Sequence, residues 1–297
     1  MKILITGANG FLGQQLILQL LADTQHAIIA TGRGENRLSI SHERLRYQSL
    51  DITDGLSASS FYKIENPSCI IHAAAMTQAD KAETQKVDCW NANVTATRFL
   101  LEAAKPFQPY IIYVSTDFVF SGEAGPYDEA AATGPVNYYG SSKLAAEHAV
   151  LEAFPNAGIA RTCLVYGSNR GHRTTILDWI LRNLQEGKSI NVVNDQWRTP
   201  TYVNELAKGI LLMIEKKAAG IYHLSGEELM TPYEMALSVA KQYSLDETLI
   251  KPISSASLNE VAQRPARTGF VTDKAKNELG FSHCSFKKAL SLIKPER

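Results

Sequence analysis

Tyr139 and Lys143 stand four residues apart in the run Tyr-Gly-Ser-Ser-Lys. On a helix that spacing puts both side chains on one face, one turn apart. A tyrosine hydroxyl, with an ordinary pKa of about 10, is a poor acid near neutrality, but an ammonium held beside it lowers that value. Such a pair can transfer a proton. A second pattern lies at the other end of the chain, where Gly7-Ala-Asn-Gly-Phe-Leu-Gly13 follows the apolar run Ile3-Leu4-Ile5 and leads into an amphipathic stretch. A glycine-rich turn between a strand and a helix is where a dinucleotide's pyrophosphate sits, because backbone can approach the phosphates and the N–H groups of the first helical turn face the anion. Its GxxGxxG spacing departs from the GxGxxG fingerprint, so its meaning depends on the Tyr-Lys motif and on Ser115-Thr116-Asp117 upstream of it.

These motifs need a scaffold, and the hydrophobic pattern supplies one. Short apolar runs at 3–6, 27–31, 69–73, 110–115 and 159–165 alternate with helical stretches at 11–22, 84–104 and 139–154. That alternation predicts an α/β chain with a Rossmann-type, doubly wound parallel sheet. After Gly167 the pattern gives way to a helix at 175–186, a strand at 190–193 and a helix at 204–215. Residues 1–166 are therefore expected to form an NAD(P)-binding domain, rejoined by about 198–224, and residues 167–297 to form mainly a smaller substrate-binding lobe over the strand C-termini.

Together, the glycine loop, Thr77-Gln78-Ala79-Asp80-Lys81-Ala82-Glu83, Ser115-Thr116-Asp117-Phe118-Val119-Phe120, Tyr139-Gly-Ser-Ser-Lys143, Asp195-Gln196 with Pro200-Thr201, and Arg264-Pro265 resemble the extended short-chain dehydrogenase/reductase superfamily. Within it the chain is most similar to the dTDP-4-dehydrorhamnose reductases. The resemblance implies reduction of a 4-keto-6-deoxy sugar nucleotide by a nicotinamide cofactor. Tyr139 would donate the proton, Lys143 would hold the nicotinamide ribose and Thr116 would hold the substrate oxygen, with Ser115 as the rival for that last role. Gly7, Asn9, Gly10, Phe11, Leu12 and Gly13 would form the pyrophosphate turn. Asp51 and Ile52 would meet the adenine, although Asp51 equally suits a helix-capping region. Ala73, Ala74 and Ala75 are small enough to let backbone approach the cofactor, a size that tight strand packing also explains.

At the end of the second strand an acidic residue favours NAD and an arginine favours the 2′-phosphate of NADP. This chain reads Ala30-Thr31-Gly32-Arg33, so NADP(H) is favoured, while Glu35 nearby keeps NAD(H) open. For the substrate, Arg198, Arg264 and Arg267 are candidate diphosphate ligands and Trp197 a candidate base-stacking residue. Asp117 either contacts the sugar or caps a loop. Arg161 fits the extended pattern or links the lobes, and residues 169–174, with Arg170, His172 and Arg173, are a candidate flap.

Thirty basic and thirty acidic residues among 297 cancel, which gives no reason to expect a nucleic-acid partner. No apolar run reaches the ~18 residues of a membrane span, and an apolar strand beginning at Lys2 leaves no room for a signal peptide, so no membrane association and a cytoplasmic location are expected. Cys69, Cys89, Cys163 and Cys284 lack CxxC spacing and the histidines form no ligand pair, so reduced thiols and no metal are expected. The resemblance also implies a homodimer through the helices at 84–104 and 139–154, with Ala92, Ala96, Leu100, Leu144 and Val150 as apolar candidates for the contact or for the sheet side. Two rival functions share the scaffold: a nucleotide-sugar epimerase or dehydratase, and a regulatory subunit resembling methionine adenosyltransferase beta. The dehydratases carry an acid–base pair where this chain has Thr116-Asp117.

Overall fold

A computed structural model describes residues 1–168 and 175–293. Seven parallel strands form the central sheet: β1 (Lys2–Thr6), β2 (Ala27–Gly32), β3 (Leu45–Ser49), β4 (Cys69–His72), β5 (Tyr110–Thr116), β6 (Gly158–Thr162) and the later Gly220–His223. Their spatial order is β3-β2-β1-β4-β5-β6 followed by Gly220–His223. The chain thus winds outward from β1 in one direction and then, starting at β4, in the other. That reversal opens a crevice at the strand C-termini between β1 and β4, where open α/β sheets bind ligands. Helices cover both faces, so β1, β4, β5 and β6 are buried nearly throughout and read as continuous apolar runs. β3, with the sequence Leu-Arg-Tyr-Gln-Ser, is an edge strand exposed on one side, and its polar alternation gives it no apolar run.

Helices α1 (Phe11–Asp23), α2 (Gly55–Glu65), α3 (Ala79–Thr84), α4 (Lys86–Trp90), α5 (Ala96–Ala104) and α6 (Tyr138–Ala153) connect these strands. The stretch expected as one helix over 84–104 is segmented. Gln85 breaks α3 from α4 with φ −125°, and a π-helical turn over Asn91–Thr95 joins α4 to α5. The expected strand over 159–165 also divides: β6 ends at Thr162, Leu164 takes a left-handed φ of 39°, and β7 (Val165–Tyr166) pairs elsewhere, with β9 (Thr201–Tyr202). Thr201 stabilises the turn by donating its hydroxyl to the Cys163 carbonyl at 2.6 Å.

Beyond this point α7 (Ile176–Gln185), β8 (Ile190–Val193), α9 (Pro232–Tyr243), β11 (Ile250–Ile253) and α10 (Phe286–Leu292) pack around a second apolar cluster centred on Ile180, Leu184, Met235 and Val239. Between them α8 (Val203–Lys216) packs on α1, and β10 (Gly220–His223) adds to the sheet beside β6. Of the residues considered for a dimer contact, Ala96, Leu100 and Val150 are buried within the subunit and Leu144 packs against the Phe120 cluster, so these four face inward. Among the described residues all four cysteines are free thiols, no His/Cys/Asp/Glu group is arranged to hold a metal, and no helix is long and apolar enough to cross a membrane.

Candidate active site

The glycine turn is built by close approach. Gly7 has φ 72°, and a Cβ on it would lie 2.8 Å from the Ala74 nitrogen and 2.9 Å from the Ala73 carbonyl carbon. Gly13 presses onto the same turn, where a Cβ would stand 2.7 Å from Ala8 Cα. The backbone of Ala73 and Ala74 after β4 thus lies directly against the turn. Helix α1 starts at Phe11 behind Gly10, with no side-chain cap and no acidic residue in its first turn. The N–H groups of Phe11, Leu12 and Gly13 thus have no acceptor within the helix and a favourable dipole for an anion. The residues fit a dinucleotide: the turn is free of side-chain bulk at Gly7, Gly10 and Gly13, and the first turn of α1 offers uncapped N–H donors.

Asn9 holds the next segment in place. Its Oδ1 accepts the Arg37 N–H at 3.1 Å, and its Nδ2 donates to Tyr47 Oη at 2.9 Å and to the Glu35 carbonyl at 3.1 Å. Arg33 and Glu35 sit in this segment with exposed side chains. A Cβ on Gly32 would meet Asn9 Nδ2 at 3.1 Å and Tyr47 Oη at 3.3 Å, so those two side chains crowd the place where an acidic residue would project. Asp51 is exposed and closes a turn, accepting the Thr53 N–H at 3.0 Å and the Thr53 hydroxyl at 2.7 Å, whereas the cap of α2 is Asp54. Ile52 packs half-buried under α2 and the core beneath it.

The proton-transfer motif opens α6, which Asn137 caps by accepting the Gly140 N–H at 2.8 Å. Tyr139 is buried edge-on to Phe118, with ring centroids 5.7 Å apart. Lys143 is also buried. It donates to the Val114 carbonyl at 2.7 Å and sits 4.0 Å above the Tyr113 ring. Burial pulls its pKa down to about 7, against the opposing pull of Glu147 one turn further along. Glu147 is itself paired with Arg161 of β6 at 2.6 Å, which places Arg161 under the sheet as a buried counter-ion. His72 bridges Thr6 at 2.6 Å and Thr97 at 2.9 Å, and burial, reinforced by the Lys143 charge, holds it neutral with a pKa of about 3.

One residue outside the motifs ties these parts together. Asn93, in the π-helical turn, accepts the Met76 N–H at 2.7 Å and donates to the Met76 carbonyl at 3.1 Å and to Ser142 Oγ at 2.8 Å. Gly7 touches Ala74, Met76 lies two residues on, and Ser142 sits between Tyr139 and Lys143, so the glycine turn and the helix carrying Tyr139 and Lys143 are joined through Asn93. Its only signal in the sequence is a polar side chain on the buried stripe of Cys89, Asn93, Thr97 and Leu100.

Thr116 ends β5. Its hydroxyl donates to Asp117 Oδ1 at 3.2 Å and its oxygen accepts the Phe118 N–H at 3.3 Å. The Ser115 hydroxyl, by contrast, is buried with no hydrogen-bond partner. Asp117 is buried and receives the Thr268 hydroxyl on Oδ2, with Arg198 Nε 3.6 Å from the same oxygen. Arg198 is 5% exposed and donates to the carbonyls of Trp197 at 2.7 Å and Pro265 at 2.7 Å, so it is committed to bracing the chain from within. Trp197 is half-buried, and Arg267, stacked 5.9 Å from its ring, is exposed and donates to the Gly125 carbonyl at 2.8 Å. Arg264 pairs with Asp80 at 2.8 Å and Glu260 at 2.8 Å and lines a cavity of about 480 Å³ together with Trp179, Val192, Gln196 and Pro232. Arg170, His172 and Arg173 of the expected flap lie outside the described residues.

A glycine turn at the switch point of a parallel sheet, joined to a helix with buried Tyr139 and Lys143 and followed by a strand-end threonine, defines a nicotinamide-dependent oxidoreductase scaffold of the extended short-chain type. The family model described as RmlD substrate binding domain matches residues 1–295, and the chain belongs to that family. It is 32% identical over 270 residues to dTDP-4-dehydrorhamnose reductase of Mycobacterium tuberculosis, covering 89% of this chain and 82% of that one. It is also 32% identical over 259 residues to methionine adenosyltransferase 2 subunit beta of Xenopus tropicalis, covering 85% of this chain and 75% of that one. Among solved structures, dTDP-4-dehydrorhamnose reductase from Bacillus anthracis in complex with NADP superposes with a TM-score of 0.84 at 28% identity, covering 98% of both chains.

Proposed function

We propose that this chain reduces a 4-keto-6-deoxy sugar nucleotide with NADPH, and specifically dTDP-4-dehydro-L-rhamnose to dTDP-L-rhamnose. The observation that carries this reading is the continuous packing from Gly7 through Ala74, Met76 and Asn93 to Ser142, which sets a dinucleotide turn and a Tyr-Lys acid against each other across one crevice. A bound NADPH supplies a hydride to the sugar carbonyl. Tyr139 gives its proton to the carbonyl oxygen as charge develops there, Lys143 lowers the cost of the resulting phenolate, and Thr116 holds the oxygen in line. Trp197 and Arg267 would supply stacking area and charge for the nucleotide, and the cavity lined by Arg264 and its partner Glu260 has the volume of a small-ligand site. Arg33 would meet the 2′-phosphate. The exposed Arg33 at the end of β2, where an acidic residue would favour NAD, supports NADP.

The test is the decay of reduced-nicotinamide absorbance with dTDP-4-dehydro-L-rhamnose generated in place, run with NADPH and NADH in parallel. Rapid NADPH oxidation is expected. No oxidation of either cofactor, with NADPH binding intact, would remove the assignment. The likeness to methionine adenosyltransferase 2 subunit beta supports a second reading, in which the chain binds a catalytic partner; copurification with a synthetase and silence toward sugar nucleotides would favour it. A cytoplasmic homodimer fits the reductase reading, and sedimentation at micromolar concentration tests the dimer.

A further inference from the structure

Two residues far from β5 in the sequence, Thr268 and Arg198, converge on a group that the reductase chemistry uses only at second hand. Thr268 is fully buried, and its hydroxyl donates to Asp117 Oδ2, while Arg198 Nε stands 3.6 Å from the same oxygen. The other oxygen, Oδ1, accepts the Thr116 hydroxyl at the longer distance of 3.2 Å. A carboxylate only accepts hydrogen bonds, so the Thr116 proton must point at Asp117 in this arrangement. A substrate oxygen that needs the same proton competes with Oδ1 for it. The Thr268 hydroxyl, with the Arg198 charge close by, holds Oδ2 and with it the plane of the carboxylate, while the contact of Oδ1 with Thr116 is the longer one.

We infer that Thr268, supported by Arg198, is a positioning residue for the reduction: it anchors Asp117 so that Thr116 can release its hydroxyl proton toward the substrate carbonyl. The inference rests on the reductase reading above. It also ties distant segments together, because Thr268 is held in register by its own N–H to the Trp197 carbonyl at 3.1 Å, while Thr116 ends β5 and Asp117 follows it.

The experiment is a double-mutant cycle between Thr268→Val and Thr116→Val, read as kcat and KM for dTDP-4-dehydro-L-rhamnose with NADPH, together with the NADPH Kd from cofactor fluorescence. Loss of one hydrogen bond to a charged group predicts a fall in kcat of roughly tenfold or more for Thr268→Val, with the NADPH Kd unchanged. In the Thr116→Val background the further loss should be less than about twofold, because residues that act through one another are not additive. Thr268→Ser, which keeps the hydroxyl, should restore most of the rate. Losses that multiply in the double variant, or a serine variant as slow as valine, would overturn the inference while leaving the reductase standing. A wild-type chain that oxidises no NADPH with this substrate would overturn both. If Thr268→Val melts below the assay temperature, Thr268→Ala enters the same cycle with the same expectations.

Discussion

The two sides of the crevice are made differently. On the cofactor side, backbone does the work: Gly7 and Gly13 are packed against main chain with no space for a methyl group, α1 offers its first turn uncapped, and Ala73 and Ala74 abut the turn. On the side proposed for the substrate, arginines meet acceptors both near and far in sequence. Arg198 turns inward to carbonyls, Arg264 is divided between Asp80 and Glu260, and Arg267 lies against Trp197. A site written in backbone tolerates little change and is shared across a superfamily. One written in arginines can be re-aimed by a few substitutions, which fits a family whose relatives carry the names of both a reductase and a synthetase subunit.

The contrast can be broken most severely at the proton donor between the two sides. Tyr139→Phe should reduce turnover by ~10²- to 10⁴-fold, the usual contribution of a positioned acid, with NADPH affinity nearly unchanged. Substantial remaining turnover would take Tyr139 out of that role. Next comes the cradle. Gly13→Ala places a methyl group 2.7 Å from Ala8 Cα, and overpacking of this kind costs ~1–3 kcal/mol, so NADPH affinity should fall by roughly ten- to a hundredfold and the melting temperature with it. Unaltered cofactor binding would mean that the turn is not where the pyrophosphate lies.

Arg33→Ala tests the one long side chain proposed on the cofactor side. A lost charge-assisted contact should weaken NADPH by about tenfold and leave NADH unaffected in parallel titrations. Equal weakening of both would remove the 2′-phosphate assignment.

The last effect is one of stability and not of turnover or cofactor affinity. Burial lowers Lys143 from its usual 10.5 to about 7. Between those values the unfolded chain keeps a proton that the folded chain has released, so this group makes stability rise with pH by up to ~1.4 kcal/mol per unit, and its contribution is flat below pH 7. Denaturant unfolding of the wild type minus that of Lys143→Met should show the rise between pH 7 and 10. A difference that stays level would mean that Glu147 fully offsets the burial.

Much of this architecture is legible in the amino-acid sequence. The glycine turn, the Tyr-Lys spacing and the run ending at Thr116 are local, and each depends on residues within a turn or two of one another. The apolar runs identify the buried strands because helices cover both faces of the sheet. The edge strand Leu45–Ser49 is not legible, since one side faces solvent and its pattern is polar. Nor is the π-helical turn that aims Asn93, because an extra residue per turn arises where packing against Met76 and Ser142 outweighs regular helix spacing.

What the sequence determined by itself was therefore the buried strands of the sheet, the glycine turn and the one-turn spacing of Tyr139 and Lys143, all set by steric rules and periodicities that act over a few residues. Only the tertiary structure decided where the arginines point. Arg198 and Asp117 lie 81 positions apart in the numbering, and a guanidinium's partners are chosen by whatever acceptors folding brings within 3–4 Å of it in a buried setting, here Asp117 and the carbonyls of Trp197 and Pro265.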